Sequence, residues 1–301
     1  MQKFFDDDWL TFQVDYDGLT VGQSALIWKI ADDIGMSADV GISRMVDGIK
    51  KMQLGINPVV SLSGGVDSQA VCLLLRAANI DFKIAIMQYE NDLNDMDVSS
   101  AVSFCETKGF NYEIIKFNVI PFLTQELSVY VALYECPSPQ FAVHFKFYEM
   151  LMTRGASSIL AGGSAPYWLK DRLVYPITIS QNAWTVFARK NDFNLYGNVL
   201  GWSPDIAIPL IKNSPNVNGY GETLTGRYAS KIAGMLAVGL DVIAQPNKYT
   251  GFEKIKQLFA QHTGDPLFFD KSFRYRFFRT HPDLAGVLLP NLPFETAIKT
   301  L

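Results

Sequence analysis

Six consecutive residues carry the plainest chemistry in this sequence: Ser63-Gly64-Gly65-Val66-Asp67-Ser68, preceded by Pro58-Val59-Val60-Ser61-Leu62 and followed by a helical pattern. Glycines let the main chain turn sharply and approach a ligand, and the first amides of the following helix then face an anion. Such a segment is a cradle for an oxyanion or a phosphate. Ser63 and Ser68 add hydroxyl donors. Asp67 cannot touch phosphate directly, and its carboxylate makes most sense holding Mg²⁺ between itself and phosphate oxygens. The same residues also suit a plain strand-to-helix turn, with Ser63 as N-cap and Asp67 at the positive end of the helix dipole.

Hydrophobic periodicity supplies the elements that position this loop. Short β-type runs fall at 58–62, 82–87, 112–117 and 158–161, and helical patterns at 66–78, 98–108, 121–134 and 140–154. Strands alternating with helices imply a parallel sheet covered on both faces, because parallel neighbours need right-handed crossovers. Ligands of such sheets bind beyond the carboxyl ends of the strands. Two of those ends carry glycine pairs, Gly64-Gly65 and Gly162-Gly163. The predicted fold is a three-layer α/β, Rossmann-like domain over 57–172. Residues 1–56 read as a helical cap, with a helix-like stretch at 23–34. Residues 173–301, interrupted by many prolines, read as a helical region that selects the substrate, with helices at 221–238 and 251–262.

The loop at 63–68 resembles the pyrophosphate-binding PP-loop, SGGxDS, of the ATP pyrophosphatase superfamily, and all of its positions match. That superfamily includes GMP synthetase, asparagine synthetase, NAD synthetase, tRNA thiolases and 7-cyano-7-deazaguanine synthase. The resemblance spans 57–171 and implies an adenine nucleotide alpha hydrolase-like fold with ATP and Mg²⁺ as ligands. It further implies that a substrate oxygen attacks the α phosphorus of ATP, pyrophosphate leaves, and a nitrogen or sulfur nucleophile displaces AMP. By the same resemblance Ser61, Ser63, Gly64, Gly65, Val66, Asp67 and Ser68 line the nucleotide, with Asp67 and Ser68 catalytic and Asp67 on the metal. Met87 would lie beside the adenosine, and Gly162 and Gly163 beside the α phosphate and the acceptor. Chemistry of this kind is mainly positioning and charge neutralisation, so no general base need be visible. The segments at 87–92 and 162–163 are equally compatible with simple turns.

Other motifs carry less. Residues 221–228 have Walker-loop spacing, but Arg227 and Tyr228 replace the lysine and hydroxyl residue that reach phosphate and metal, so a helix start is expected. At 268–279 aromatics alternate with cations. Arg274 there can clamp pyrophosphate or a carboxylate, the rings can stack RNA bases, or the strip can be core packing with solvated arginines. Cys72, Cys105 and Cys136 are too few and too scattered for a disulfide framework or a paired zinc site, and Cys136 reads as a packing residue. His144, His262 and His281 stand isolated and read as structural.

At 301 residues, 49% hydrophobic and 19% charged, the chain can bury a large core, which excludes disordered and fibrous classes. Its longest apolar stretch, 232–244, contains Asp241 and is shorter than the roughly 18 residues a spanning helix needs. No membrane is expected. Scattered cysteines, and Asp6, Asp7 and Asp8 where a leader would be apolar, point to the cytoplasm. The net charge of −4 argues against a broad RNA surface. The expected function is ATP-dependent adenylation of a small-molecule acceptor, followed by attack of ammonia or an amine; many members of the superfamily are homodimers, and the sequence leaves the oligomeric state open. Modification of a tRNA or other nucleic-acid base, thiolation included, and a non-catalytic ATP- or AMP-binding module are the competing readings.

Overall fold

The computed structural model describes residues 41–134, 136, 138–163, 165, 179–214, 224–245, 251, 252, 254, 255, 257 and 258, and strands within 2–28 and 167–174. The chain begins with β1 (Gln2–Asp6), β2 (Leu10–Val14), β3 (Ser24–Trp28) and α1 (Ile42–Lys50). Then come β4 (Pro58–Ser61), α2 (Val66–Ala77), β5 (Lys83–Tyr89), α3 (Asp95–Lys108) and β6 (Glu113–Phe117). Three helices follow, α4 (Val119–Gln125), α5 (Leu127–Tyr134) and α6 (Pro139–Thr153), before β7 (Ser158–Leu160). The hairpin β8 (Tyr167–Leu169) and β9 (Arg172–Val174) leads to α7 (Ile179–Lys190), β10 (Asn194–Tyr196), α8 (Pro204–Asn213) and α9 (Leu224–Ala237).

Five strands form one parallel sheet in the order β10-β7-β4-β5-β6. The chain lays strands outward from β4 on one side and then returns to its other side. The reversal falls between β4 and β7, where the exiting loops diverge and leave a crevice at the carboxyl edge.

Side chains of a strand alternate between faces, and here the alternation feeds two separate cores. Val60, Ile84, Ile86, Leu160 and Tyr196 pack with α1, α2, α3, α8 and α9. Val59, Ala85, Ile115, Ile159 and Leu195 pack with α4, α5, α6 and α7. The fold is therefore a three-layer, Rossmann-like α/β sandwich, as the alternation of elements predicts. Fully buried Phe104 anchors one core and Phe145, Phe147 and Phe187 the other. Each such ring contributes roughly 1.5–3 kcal/mol by leaving water.

The helical N-terminal cap needs correction. Its described parts at 2–28 form a three-stranded antiparallel sheet, and the supposed helix at 23–34 contains β3. A short apolar run fits either period, and here pairing with β2, Leu26 opposite Phe12, decides for the strand. Among the described residues of 1–56 the helix is α1, and its Met45 and Ile49 enter the same core as α2. The sheet also takes its fifth strand, β10, from beyond the segment that supplied the four expected ones. The helix expected over 121–134 is two, α4 and α5, separated at Glu126.

Candidate functional site

The cradle forms where β4 gives way to α2. Gly64 adopts φ +74°, a conformation that side chains with a Cβ resist. A Cβ there would also lie 2.8 Å from the main-chain nitrogen of Ala101 in α3. Gly65 has ordinary extended dihedrals and serves as the N-cap of α2, with no side-chain cap bond. Ser63 therefore does not cap the helix: its N–H donates to the Ser68 hydroxyl at 3.3 Å, and that hydroxyl donates to the Gly65 carbonyl at 2.9 Å. Ser68 braces the loop with its side chain. The first intrahelical bond runs from Gln69 N–H to Gly65 at 3.0 Å, so Val66, Asp67 and Ser68 begin the helix with amides that have no intrahelical acceptor. Asp67 and these amides share one helix turn, which combines an anion-facing surface with a carboxylate.

Long-range contacts hold this loop. The Asp67 carboxylate accepts from the Ala165 main-chain N–H at 3.0 Å and from Lys231 of α9 at 3.2 Å. The pair is largely shielded, with side-chain exposures of 22% for Asp67 and 13% for Lys231, so water screens it less than a surface ion pair. Tyr228, one turn earlier on α9, has its phenol pushed up by burial and, more weakly, by the Asp67 charge. Gln69 is fully buried. Its amide nitrogen donates to Gly64 at 2.8 Å and to the Ile243 carbonyl at 3.2 Å, and its oxygen accepts from Ile243 N–H at 2.7 Å. Sequence reasoning missed Lys231 and Gln69: Lys231 reaches Asp67 across 164 residues, and Gln69 clasps Ile243 across 174, beyond any local pattern.

The second glycine pair meets the first. A Cβ on Gly162 would sit 2.5 Å from the Asp67 carbonyl carbon and the Ser68 nitrogen, so only glycine lets the two loops touch. Gly163 has φ +66°, and its missing Cβ leaves room for buried Asn198 after β10. Both glycine pairs thus lie at the crevice between β4 and β7.

The remaining sequence candidates divide. Ser61 leaves β4 on the α6 side, close to the Tyr148 hydroxyl. Met87 packs on that same face, and its carbonyl accepts from buried Asn94 at 2.8 Å while Asn94 also receives the Tyr89 N–H at 2.7 Å. The acidic turn after β5 is in part a structural bracket, because the Glu90 carboxylate caps the first amides of α4, Val119 at 2.6 Å and Ile120 at 3.0 Å. Cys136 is buried with its thiol on the Tyr130 carbonyl. Arg274, His262 and His281 lie outside the described residues.

These residues fit a polyphosphate: uncapped first-turn amides, two glycines that a Cβ would collide with, and a lysine beside them. Among the described residues no three His, Cys, Asp or Glu side chains cluster as a metal cage. Asp67, beside the open amides of α2, is the described carboxylate that would hold Mg²⁺, with phosphate oxygens and water completing its shell. No described helix is long and apolar enough to cross a membrane.

No family model matches this chain, and no curated protein matches it. Among solved structures, it is similar to a predicted subunit of tRNA methyltransferase from Methanocaldococcus jannaschii DSM, with TM-score 0.34 and 14% identity over 52% of this chain and 75% of that one. It is also similar to NMN synthetase from Francisella tularensis, with TM-score 0.30 and 11% identity over 69% of this chain and 95% of that one.

Proposed function

We propose that the chain is an ATP-dependent adenylating enzyme that releases pyrophosphate and then joins a nitrogen nucleophile, ammonia or an amine, to a small-molecule acceptor. The observation that carries this reading is the uncapped start of α2, with Asp67 and Lys231 beside it, at the crevice where the sheet order reverses. The PP-loop pattern at 63–68 agrees with it.

In this reading the amides of Val66, Asp67 and Ser68 bind the β and γ phosphates, and Gly162 lets the second loop close against them. An acceptor oxygen attacks the α phosphorus, and the bond to the β-phosphate bridging oxygen breaks, so pyrophosphate leaves with the electron pair. The nitrogen nucleophile then attacks the activated acceptor carbon, and AMP leaves. Bound Mg²⁺ would neutralise charge on the departing pyrophosphate. Lys231, which pairs with Asp67, supplies a second positive charge within reach of the same anion. Gln69 keeps Gly64 in place through all of this.

The test is release of labelled pyrophosphate from ATP, first with ammonia and pooled small acids, then with bulk tRNA. Turnover only with a small acid is the expected result. Turnover only with RNA replaces the acceptor class by a nucleic-acid base, and ATP binding without turnover under either condition overturns the enzymatic reading.

A further inference from the structure

Two partners compete for the Asp67 carboxylate. The proposed chemistry gives it to Mg²⁺, yet in the folded chain both of its oxygens are already engaged. Oδ1 accepts from the Ala165 main-chain N–H at 3.0 Å and lies 3.5 Å from the Lys231 ammonium, and Oδ2 accepts from that ammonium at 3.2 Å. A carboxylate with a lysine on it is a neutral pair. In a place this shielded, a second cation on the same carboxylate is repelled by the first, and water screens the two poorly. With the pair intact, the cradle offers an anion the open amides of α2 and offers a metal ion no spare charge.

α9 is held too firmly to resolve the conflict by swinging away. Tyr228, one turn before Lys231, accepts from the Gln245 N–H at 2.9 Å, and Met235 and Val238, further along, are buried in the core shared with α2. Between them Gly234 passes so close to the end of α8 that a Cβ would lie 2.3 Å from the Ser214 hydroxyl oxygen. The helix stays, and the side chain can turn. Rotation about the four-carbon stem of a lysine hands its point charge from one oxygen to another. A polyphosphate on the α2 amides brings several anionic oxygens beside that stem, a stronger partner for an ammonium than one carboxylate.

We infer that Lys231 is a placeholder for the metal: it neutralises Asp67 and keeps divalent cations off it until a polyphosphate binds, then passes to a phosphate oxygen and leaves the carboxylate to Mg²⁺. This rests on the adenylation reading above and deepens it, making Lys231 a positioning residue that sets the order of binding. Nucleotide and metal each remove the obstacle to the other, so their affinities are coupled in both directions. Dissolved Mg²⁺ does not fill the site ahead of nucleotide, and departing pyrophosphate returns Lys231 to Asp67.

The test titrates the full chain with Mn²⁺, a paramagnetic stand-in for Mg²⁺ whose resonance signal is lost on binding. With no phosphate present, wild type should bind Mn²⁺ weakly. Lys231→Gln, which still donates a hydrogen bond to Asp67 but brings no charge, should bind it at least about tenfold more tightly, whereas Lys231→Arg should match wild type. Adding Asp67→Asn to Lys231→Gln should erase the gain, which assigns the ion to that carboxylate rather than to acidic surface. In EDTA, calorimetry with a non-hydrolysable ATP analogue should show Lys231→Gln binding about tenfold more weakly than wild type, because the lysine charge is then on phosphate. Equal Mn²⁺ affinity in wild type and Lys231→Gln overturns the inference, and so does equal affinity for the analogue in EDTA. Tight Mn²⁺ binding by wild type without phosphate, lost in Asp67→Asn, overturns it as well and needs no change at Lys231. In each of these cases the adenylation reading stands so long as wild type binds the analogue with Mg²⁺. Failure of wild type to bind the analogue even with Mg²⁺ brings down the adenylation reading and this inference together.

Discussion

The two edges of the sheet differ in what they offer a ligand. Among the described residues, the amino edge offers a cavity of about 350 Å³ lined by Asn57, Lys83, Tyr112 and Arg154, and another of about 370 Å³ lined by Arg76, Asn79, Asp81 and Phe110. The carboxyl edge has the chemistry. Helices of a strand-helix-strand unit start at the carboxyl edge and end at the amino edge, so free amides collect at one and free carbonyls at the other. Lys50, Arg76, Lys108 and Lys190 stand in last turns, and Arg76 hydrogen-bonds the final carbonyl of α3 at 2.8 Å. At the carboxyl edge α2 starts uncapped, and its neighbours are drawn from residues 162, 165, 231 and 243. The main-chain donors left open at the start of α2 are what mark the carboxyl edge.

Substitutions can sharpen or break this contrast. The largest effect is expected for Asp67→Asn, which should lower Mg²⁺-dependent pyrophosphate release at least about 100-fold. The fold should be kept, because Asn still accepts from Ala165, while the thermal midpoint falls as shielded Lys231 loses its partner; unchanged turnover would remove Asp67 from the site. Gln69→Leu comes next. It strands the Ile243 N–H in a buried place and loosens Gly64, costing about 1–3 kcal/mol in denaturant unfolding and weakening pyrophosphate binding in calorimetry. Stability lost with pyrophosphate affinity intact would show that Gln69 serves the core alone.

A smaller effect concerns pH. His144 has its proton affinity lowered from 6.5 to about 4 in the fold, so the unfolded chain binds a proton first. Its contribution to stability is complete above about pH 6.5 and is lost as pH falls toward 4. Wild type should therefore lose stability across that window with a steeper slope than His144→Phe, as read by urea midpoints at each pH. The smallest effect belongs to the amino edge. Arg154→Ala breaks an ion pair with Glu113 that is at least half exposed on both sides, and should move stability by no more than about 0.5 kcal/mol with turnover unchanged. A drop in turnover there would erase the distinction between the edges.

What was legible in the sequence follows the range of the forces involved. The four strands from 58 to 161 and the turn at Gly64-Gly65 show through local period and composition, and the structure keeps them almost to the residue. β10 is three residues long and becomes a strand only by pairing with β7, a fact no local window contains. α8 carries Pro209 in its interior and is sustained by burial of Ile206, Leu210 and their neighbours rather than by propensity. β3 was misread for the same reason, since its partner strand chose between two compatible periods. At the site, Gly64, Gly65, Asp67 and Ser68 were readable as a string, whereas Lys231, Gln69 and Asn198 gain meaning only through tertiary contact.

The clasp between Gln69 and Ile243 has a consequence for synthesis. A ribosome exposes the glycine loop long before it has made either Ile243 or Lys231. A nascent chain therefore holds a half-built loop, without its clasp and without its lysine, for most of its elongation at ~5–20 residues per second. On the proposed reading, the loop gains its grip on a triphosphate only after translation has passed both residues, and incomplete chains would stay unloaded.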